Sequence, residues 1–237
     1  MYFPMFLQGV QDISTFHSGF ITTPYGVLTA FMGVPVGYII ARSGRFKWMY
    51  ITGYGILAMS MFGLILLDAH SQIVWSVAVA LLAGLGYGVI PTINTVVVQN
   101  SVPKRLMGVA MGAVFFFLMM GSAISPAILG STMNVSYENS LSQSLPEGLS
   151  DIVDEKTIES LVGDPQVLLS ESALENLKET IREKGGNGEQ LFQQTVEAIR
   201  HSLEAGLRNI FWVGLIMMIV SFLIICTVPS KFADIEE

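Results

Sequence analysis

Long stretches of this chain contain no charge at all. Asp, Glu, Lys and Arg make up 13% of its 237 residues, against about 25% in soluble domains. None of the twelve Lys and Arg lies well inside a long apolar run, and fourteen of the nineteen Asp and Glu fall between residues 134 and 205. The formal net charge of −7 therefore belongs mainly to one segment. A basic nucleic-acid footprint is missing, so no nucleic-acid partner is expected. Cysteine is almost absent. Cys226 alone cannot form an intrachain disulfide, and no metal-ligand spacing surrounds it. His17, His70 and His201 are isolated from one another, and each is expected in a solvated loop. With no Ser-His-Asp or Cys-His arrangement, no catalytic residue, metal site or cofactor is expected, and the chain does not read as an enzyme. The opening Met1-Tyr2-Phe3-Pro4 carries neither a basic region nor a small-residue cleavage site, which argues against a signal peptide.

What the chain does have is five apolar stretches, at approximately 18–41, 48–67, 74–98, 107–132 and 208–228. Each is long enough to cross about 30 Å of hydrocarbon, which takes about 20 helical residues. Lipid offers no partner to open backbone groups, so all five are predicted to be helices. The expected fold class is all-α, a polytopic transmembrane bundle with a helical hairpin outside the membrane. Three regions divide it. Residues 1–133 hold the end of one helix and four full spans, 134–205 form an acidic loop, and 206–237 form the last span and a short tail.

Orientation follows from the connecting loops. Arg42, Arg45 and Lys47 lie in one, Lys104 and Arg105 in another, and Lys231 in the tail. These three regions are expected in the cytoplasm. The alternate connections, 9–17 and 68–73, carry no Lys or Arg and are expected outside, with the acidic loop. The amino terminus is then outside and the carboxy terminus inside. On this topology the apolar stub before Gln11 begins in mid-membrane, which suggests the outer end of a helix whose beginning is missing.

The acidic loop has internal order. Asp164-Pro165 breaks it. Ser172 and Glu175 have capping-box spacing, and Leu174, Leu177 and Ile181 then share a helix face. The turn signal Gly185-Gly186-Asn187-Gly188 precedes Phe192, Val196, Ile199 and Leu203, which recur at helical spacing. An amphipathic hairpin is predicted, its second helix running toward the last span.

Several positions carry possible function. In the first basic loop, Gly37 is expected to end a helix and Gly44 to allow a tight turn, while Arg42, Arg45 and Lys47 can reach helix ends and lipid phosphates. Gly33 and Gly37, Gly84 and Gly88, and Gly108 and Gly112 each have the spacing that lets membrane helices approach closely. Gly84, Gly86 and Gly88 lie inside a span with no strand before them, which excludes a nucleotide-binding turn. Pro24, Pro35, Pro91 and Pro126 lie within spans and remove helix hydrogen bonds. Thr22, Thr23, Tyr25, Thr29, Thr92, Asn94, Thr95, Ser122 and Ser125 are the polar groups at membrane depth. Asn94 needs a partner there, either another helix or a water-filled cavity. Among Phe115, Phe116 and Phe117, whose ring faces suit flat cations, at least one must face lipid. The substrate-cavity candidates are Thr22, Tyr25, Asn94, Phe116 and Ser122.

The run Gly37-x-x-x-Ala41-Arg42-Ser43-Gly44-Arg45 resembles the signature loop of the major facilitator superfamily. The aromatic stub from Tyr2 to Gln8 is similar to the preceding helix of that family. The run Gly84 to Pro91, followed by Gln99 to Gly108, is similar to its next helix and loop. The nearest likeness is to fourteen-span drug:proton antiporters of Gram-positive bacteria, some of which carry a long outer loop before the last helix. The segments from Asp164 to Ser170 and from Gly206 to Trp212 are similar to that subgroup. Ala41 stands where the signature loop often has an acidic residue. The run Phe116 to Ser122 stands where close relatives often have an Arg and a Gly-Gly pair.

The resemblance implies the carboxy-terminal portion of a proton-coupled multidrug efflux antiporter in a bacterial cell membrane. Its expected partners are the lipid bilayer, the amino-terminal half of the transporter, and hydrophobic or cationic small molecules. The proton gradient is the expected energy source of the complete transporter. Apart from Arg208 at the very edge of the last, no Asp, Glu, Lys, Arg or His lies within the five spans, so the coupling charges are expected in the missing half. The alternative is an inactive truncated remnant, or a membrane scaffold subunit without transport activity.

Overall fold

A computed structural model describes residues 2–146, 148–184 and 188–228. Every element among them is helical. The chain opens with α1 (Tyr2–Met5), which continues as a π-helical turn over Phe6–Val10. The long helices α2 (Thr15–Ser43), α3 (Lys47–Leu66) and α4 (Ile73–Gln99) follow. A 3-10 turn at Lys104–Leu106 leads into α5 (Met107–Ser144). Then come α6 (Leu149–Ile152), α7 (Glu155–Gly163), a 3-10 turn at Val167–Leu169, α8 (Glu171–Lys184) and α9 (Gly188–Thr227). Five of these helices are long and apolar enough to cross a membrane, and they cover the five predicted spans except for Leu67 and Val228, each one residue past its helix.

Two helices overrun their predicted limits. α5 continues to Ser144 because Met133, Tyr137 and Leu141, spaced four apart, remain buried after the sequence turns polar. α9 begins at Gly188, twenty residues before 208. Ile199, Leu203 and Leu207 are fully buried there, so tertiary packing sustains the helix where hydropathy fades. His17 and His201 accordingly lie within helices and not in loops. Only His70 occupies a turn.

The chain divides into two compact units. The first comprises residues 1–19, 68–71 and 128–210. Its core gathers Phe6, Leu7 and Val10 from the π turn, Tyr137 and Leu141 from α5, Leu149 and Val153, Leu161, Val167, Leu177 and Ile181, and the inner face of α9. The Tyr137 hydroxyl donates to the Leu161 carbonyl at 2.9 Å, which joins α5 to α7. Asn209 donates to the Ser136 hydroxyl at 2.7 Å, where Gly206 lets α9 approach the Met133 carbonyl of α5. The α8–α9 pair carries the predicted faces, with Leu177, Ile181, Ile199 and Leu203 buried. Its cap differs from expectation. Ser170, not Ser172, precedes the helix, in extended backbone, and its hydroxyl accepts from the Ala173 N–H at 3.3 Å. Glu175 is thus two residues too far along to complete a box. The first three residues of the predicted turn, 185–187, lie outside the described residues, as does Lys231.

The second unit comprises residues 20–67, 72–127 and 211–237. Its organising helix is α4, whose glycines serve two opposite neighbours. A Cβ at Gly84 would stand 2.9 Å from the Tyr25 backbone, and one at Gly88 3.0 Å from Thr29 Cα, both on α2. A Cβ at Gly86 would stand 2.8 Å from Leu57 N and 2.9 Å from the Gly53 carbonyl, both on α3. Alternate glycines therefore point to opposite sides of α4, and the run is a packing device. On α2, Gly33 and Gly37 face Thr92. Gly37 sits inside the helix, which continues to Ser43, so its predicted role as a helix terminus is replaced by one in packing. A Cβ at Gly108 or Gly112 would meet nothing within 4 Å beyond its own helix, so their spacing serves no close approach among the described residues.

The α3–α4 seam continues through Ser60, whose hydroxyl donates to the Val79 carbonyl at 3.1 Å in a buried setting. Val36, Ile40, Phe46, Met49, Tyr50, Val89 and Ile93 form the core where α2, α3 and α4 meet, with Ile225 and Val228 packed against it. By contrast, the apolar stretch of α5 is exposed along its length.

Replacing Gly86 by Ala is expected to destabilise the purified chain by about 1–3 kcal/mol, since the new methyl meets backbone on a neighbouring helix. Gly112→Ala should stay within about 0.5 kcal/mol of the parent. Thermal melting in detergent, followed by tryptophan fluorescence, compares the two.

Candidate functional site

The polar groups of the second unit concentrate on α4 and its neighbours. Tyr87 and Asn94 are seven residues apart and share one face of α4. Tyr25 of α2 lies beside Tyr87, their ring centroids 6.2 Å apart and their planes tilted by 34°. Asn94 is half-buried, and its side-chain carbonyl accepts from the Tyr50 hydroxyl at 2.5 Å. Tyr50 also approaches Tyr54 and Phe46, each with centroids 6.2 Å away. The buried amide thus finds its partner on α3, and three tyrosines missed at first join the candidates. Tyr50 carried a readable signal, as a phenol four residues from a second phenol in an apolar span, but its spacing did not point to Asn94.

The remaining cavity candidates are more dispersed. Thr22 is half-buried on α2. Phe116 and Ser122 are exposed on α5. The Phe116 ring meets its neighbour Phe117 edge to face at 5.6 Å, and the Ser122 hydroxyl donates to the Met119 carbonyl of its own helix at 2.8 Å. All three phenylalanines from Phe115 to Phe117 are exposed. The structure therefore joins Tyr25 to Tyr87 and Asn94 to Tyr50, and brings neither pair to Phe116 or Ser122 by any described contact.

The basic loop after α2 is built around Gly44. Its φ of +63° lies in the left-handed region that glycine enters without steric cost. In this conformation its N–H donates to the Ile40 carbonyl at 2.9 Å and closes the helix. Ser43 reinforces the end by donating to the Ile39 carbonyl at 2.7 Å. Arg42 reaches the Tyr38 hydroxyl at 3.5 Å, and Arg45 is exposed. Lys47 spans to another helix, donating to the Cys226 carbonyl near the end of α9 at 2.8 Å. A cation at that position suits the negative end of the helix dipole. Lys104 and Arg105 are exposed on the 3-10 turn before α5.

In the first unit, the turn at 68–71 is held by Asp68. Its carboxylate accepts from the Ser71 hydroxyl at 2.9 Å and from the His70 N–H at 3.0 Å. The Ser71 hydrogen bond, assisted by the His70 N–H and offset in part by desolvation, holds this carboxyl below the ordinary aspartate range.

Helices of this length and apolarity, joined by short basic turns and packed through glycine seams, define a multi-pass membrane protein. The sequence model described as Major Facilitator Superfamily matches residues 1–126, and the chain belongs to that family. It is similar to a tetracycline resistance determinant of Streptomyces rimosus, 31% identical over 164 residues, covering 69% of this chain and 45% of that protein. It is also similar to the multidrug transporter protein MdtP of Bacillus subtilis, 29% identical, covering 60% of this chain and 26% of that protein. An MFS-type efflux transporter of Pyricularia grisea is 26% identical, covering 62% and 24%. The chain thus spans less than half the length of these relatives. No solved structure matches it. The family places the chain among membrane transport proteins and not among enzymes.

Tyr50→Phe leaves the Asn94 carbonyl unpaired in the seam and is expected to cost about 1–2 kcal/mol. The double variant Tyr50→Phe with Asn94→Leu should recover part of that loss in the same melting assay, because neither group is then left unsatisfied.

A lowered folded-state pKa means that the Asp68 contribution is present above the ordinary aspartate value and fades as pH falls through the lowered one. Asp68→Asn should therefore lower the melting temperature at pH 7, with the gap to the parent closing as the pH drops below 4. A gap unchanged between those conditions would show that the carboxylate charge is irrelevant.

Proposed function

We propose that this chain is the carboxy-terminal portion of a proton-coupled multidrug efflux transporter of a bacterial cell membrane, contributing one wall of the substrate cavity. The observation that carries this reading is its similarity, over about two thirds of its length, to proteins described as tetracycline resistance, multidrug or efflux transporters. The tyrosine and amide strip of α2, α3 and α4 supports it. Phenol rings offer flat, electron-rich faces to hydrophobic cations, and Asn94 offers an amide N–H to polar substituents. Tyr25, Asn94 and Thr22 are the residues proposed to line the wall, with Phe116 and Ser122 contributing from α5.

In this reading the basic turns face the cytoplasm, the amino terminus and the acidic segment face outward, and lipid surrounds the spans. The stretches 20–41, 48–67, 74–98, 107–132 and 211–227 contain no Asp, Glu, Lys, Arg or His. A proton carrier needs such a group at membrane depth, so the amino-terminal half supplies it and the proton gradient drives the pair. Asn94 and the tyrosines bind or orient substrate and take no part in proton transfer.

The test is dye efflux from a host lacking its own exporters, with this chain expressed alone or together with an amino-terminal half. Uncoupler-sensitive export is expected only from the pair. Robust export by the chain alone would falsify the division of labour. A pair that assembles in the membrane yet never exports would favour a scaffold or remnant.

A further inference from the structure

Residues Gln11 and Asp12 stand between the π turn and α2, and they reach in two directions. The Gln11 amide donates to two backbone carbonyls of the 68–71 turn, Asp68 at 3.1 Å and Ser71 at 3.2 Å. The Asp12 carboxylate lies 3.4 Å from the Arg200 guanidinium on α9. Among the described residues, Asp12 alone combines a side chain with a positive φ, at +57°. Aspartate enters this region more readily than most side-chain-bearing residues, and here contacts on both sides favour it. The holding contacts are on both flanks. Before the corner, Val10 is buried and a Cβ at Gly9 would meet the Leu203 side chain of α9 at 2.5 Å. After it, Ser14 stands just before α2, its carbonyl and hydroxyl accepting from Ser18 N at 2.9 Å and His17 N at 3.5 Å.

We infer that the Gln11–Asp12 corner is a two-sided latch, coupling α9 at Arg200 to the turn that joins α3 to α4. The ion pair, together with the flanking contacts, favours the left-handed conformation of Asp12. That conformation aims the neighbouring Gln11 amide at both carbonyls of the turn. Loss of the ion pair lets the corner relax toward ordinary backbone, and the two hydrogen bonds to the turn lose their alignment together. A change at α9 thereby reaches a segment that Arg200 is not bonded to. The inference does not depend on the transport reading, since its readout is backbone exposure and not export.

The test is amide hydrogen exchange on the full chain in lipid nanodiscs, read at residues 68–71 in the parent, Arg200→Gln, Gln11→Ala and the double variant. Arg200→Gln is expected to speed exchange at the turn by roughly threefold or more, the size of an ordinary coupling between residues of one network. Gln11→Ala should match it, and the double variant should add nothing further. Acceleration confined to residues near 12 and 200, or two effects that simply multiply, overturns the latch. Should Arg200→Gln fail to fold, the parent chain in rising salt supplies the same test, because salt screens an exposed pair. Turn exchange that does not respond to salt then counts against it.

Discussion

Two helix backbones approach closely in lipid only where no side chain stands between them, and α4 meets that condition on opposite sides at once. Gly84 and Gly88 admit α2, and Gly86 admits α3. Lipid tails are as apolar as leucine, so burial of hydrocarbon does not drive such helices together. Dispersion between close surfaces and a few interhelical hydrogen bonds must do so. Once the helices are this close, Ser60 can reach the Val79 carbonyl and Tyr50 can reach Asn94. The polar contacts of the seam are consequences of its small residues. The placement of Tyr25 beside Tyr87 follows from the same approach, because the Tyr25 backbone is itself the surface that Gly84 touches.

The first unit is assembled differently. It uses large side chains on amphipathic faces, with Tyr137, Leu141, Ile181, Ile199 and Leu203 all fully buried. Charges sit on its rim, where Lys178 and Arg182 share Glu189 at 3.3 and 3.5 Å and Lys178 also lies 5.4 Å from the Phe192 ring centroid. Exposed pairs of this kind add little individually. Their effect is to fix the approach of α8 to α9, while the buried faces supply the stability. One chain thus holds two packing regimes, and α5 and α9 change from one to the other along their lengths.

The spans and the all-helical class were readable because a membrane imposes a minimum length of apolar sequence, and nothing else in the chain has that length. The faces of α8 and α9 were readable from their spacing. The true ends of α5 and α9 were not, because beyond the apolar run their continuation depends on burial of residues such as Tyr137 and Ile199 against partners distant in sequence. Glycine spacing alone was ambiguous for a related reason. The same four-residue interval marks a tight contact at Gly84 and Gly88 and open space at Gly108 and Gly112. Asn94 announced its need for a partner without naming it, since Tyr50 lies 44 residues away. Gly37 misled because a glycine near a basic turn suggests a helix end, whereas Gly44, with its positive φ, is the one that closes α2.

The bond from Lys47 to the Cys226 carbonyl joins positions 179 residues apart. Contacts between such distant positions form late in folding. Until α9 is complete, this ammonium has no carbonyl to meet at that site. The pairing therefore reports that α9 has been made to its end. A chain interrupted before the end of α9 leaves the Lys47 ammonium at the head of α3 without this carbonyl.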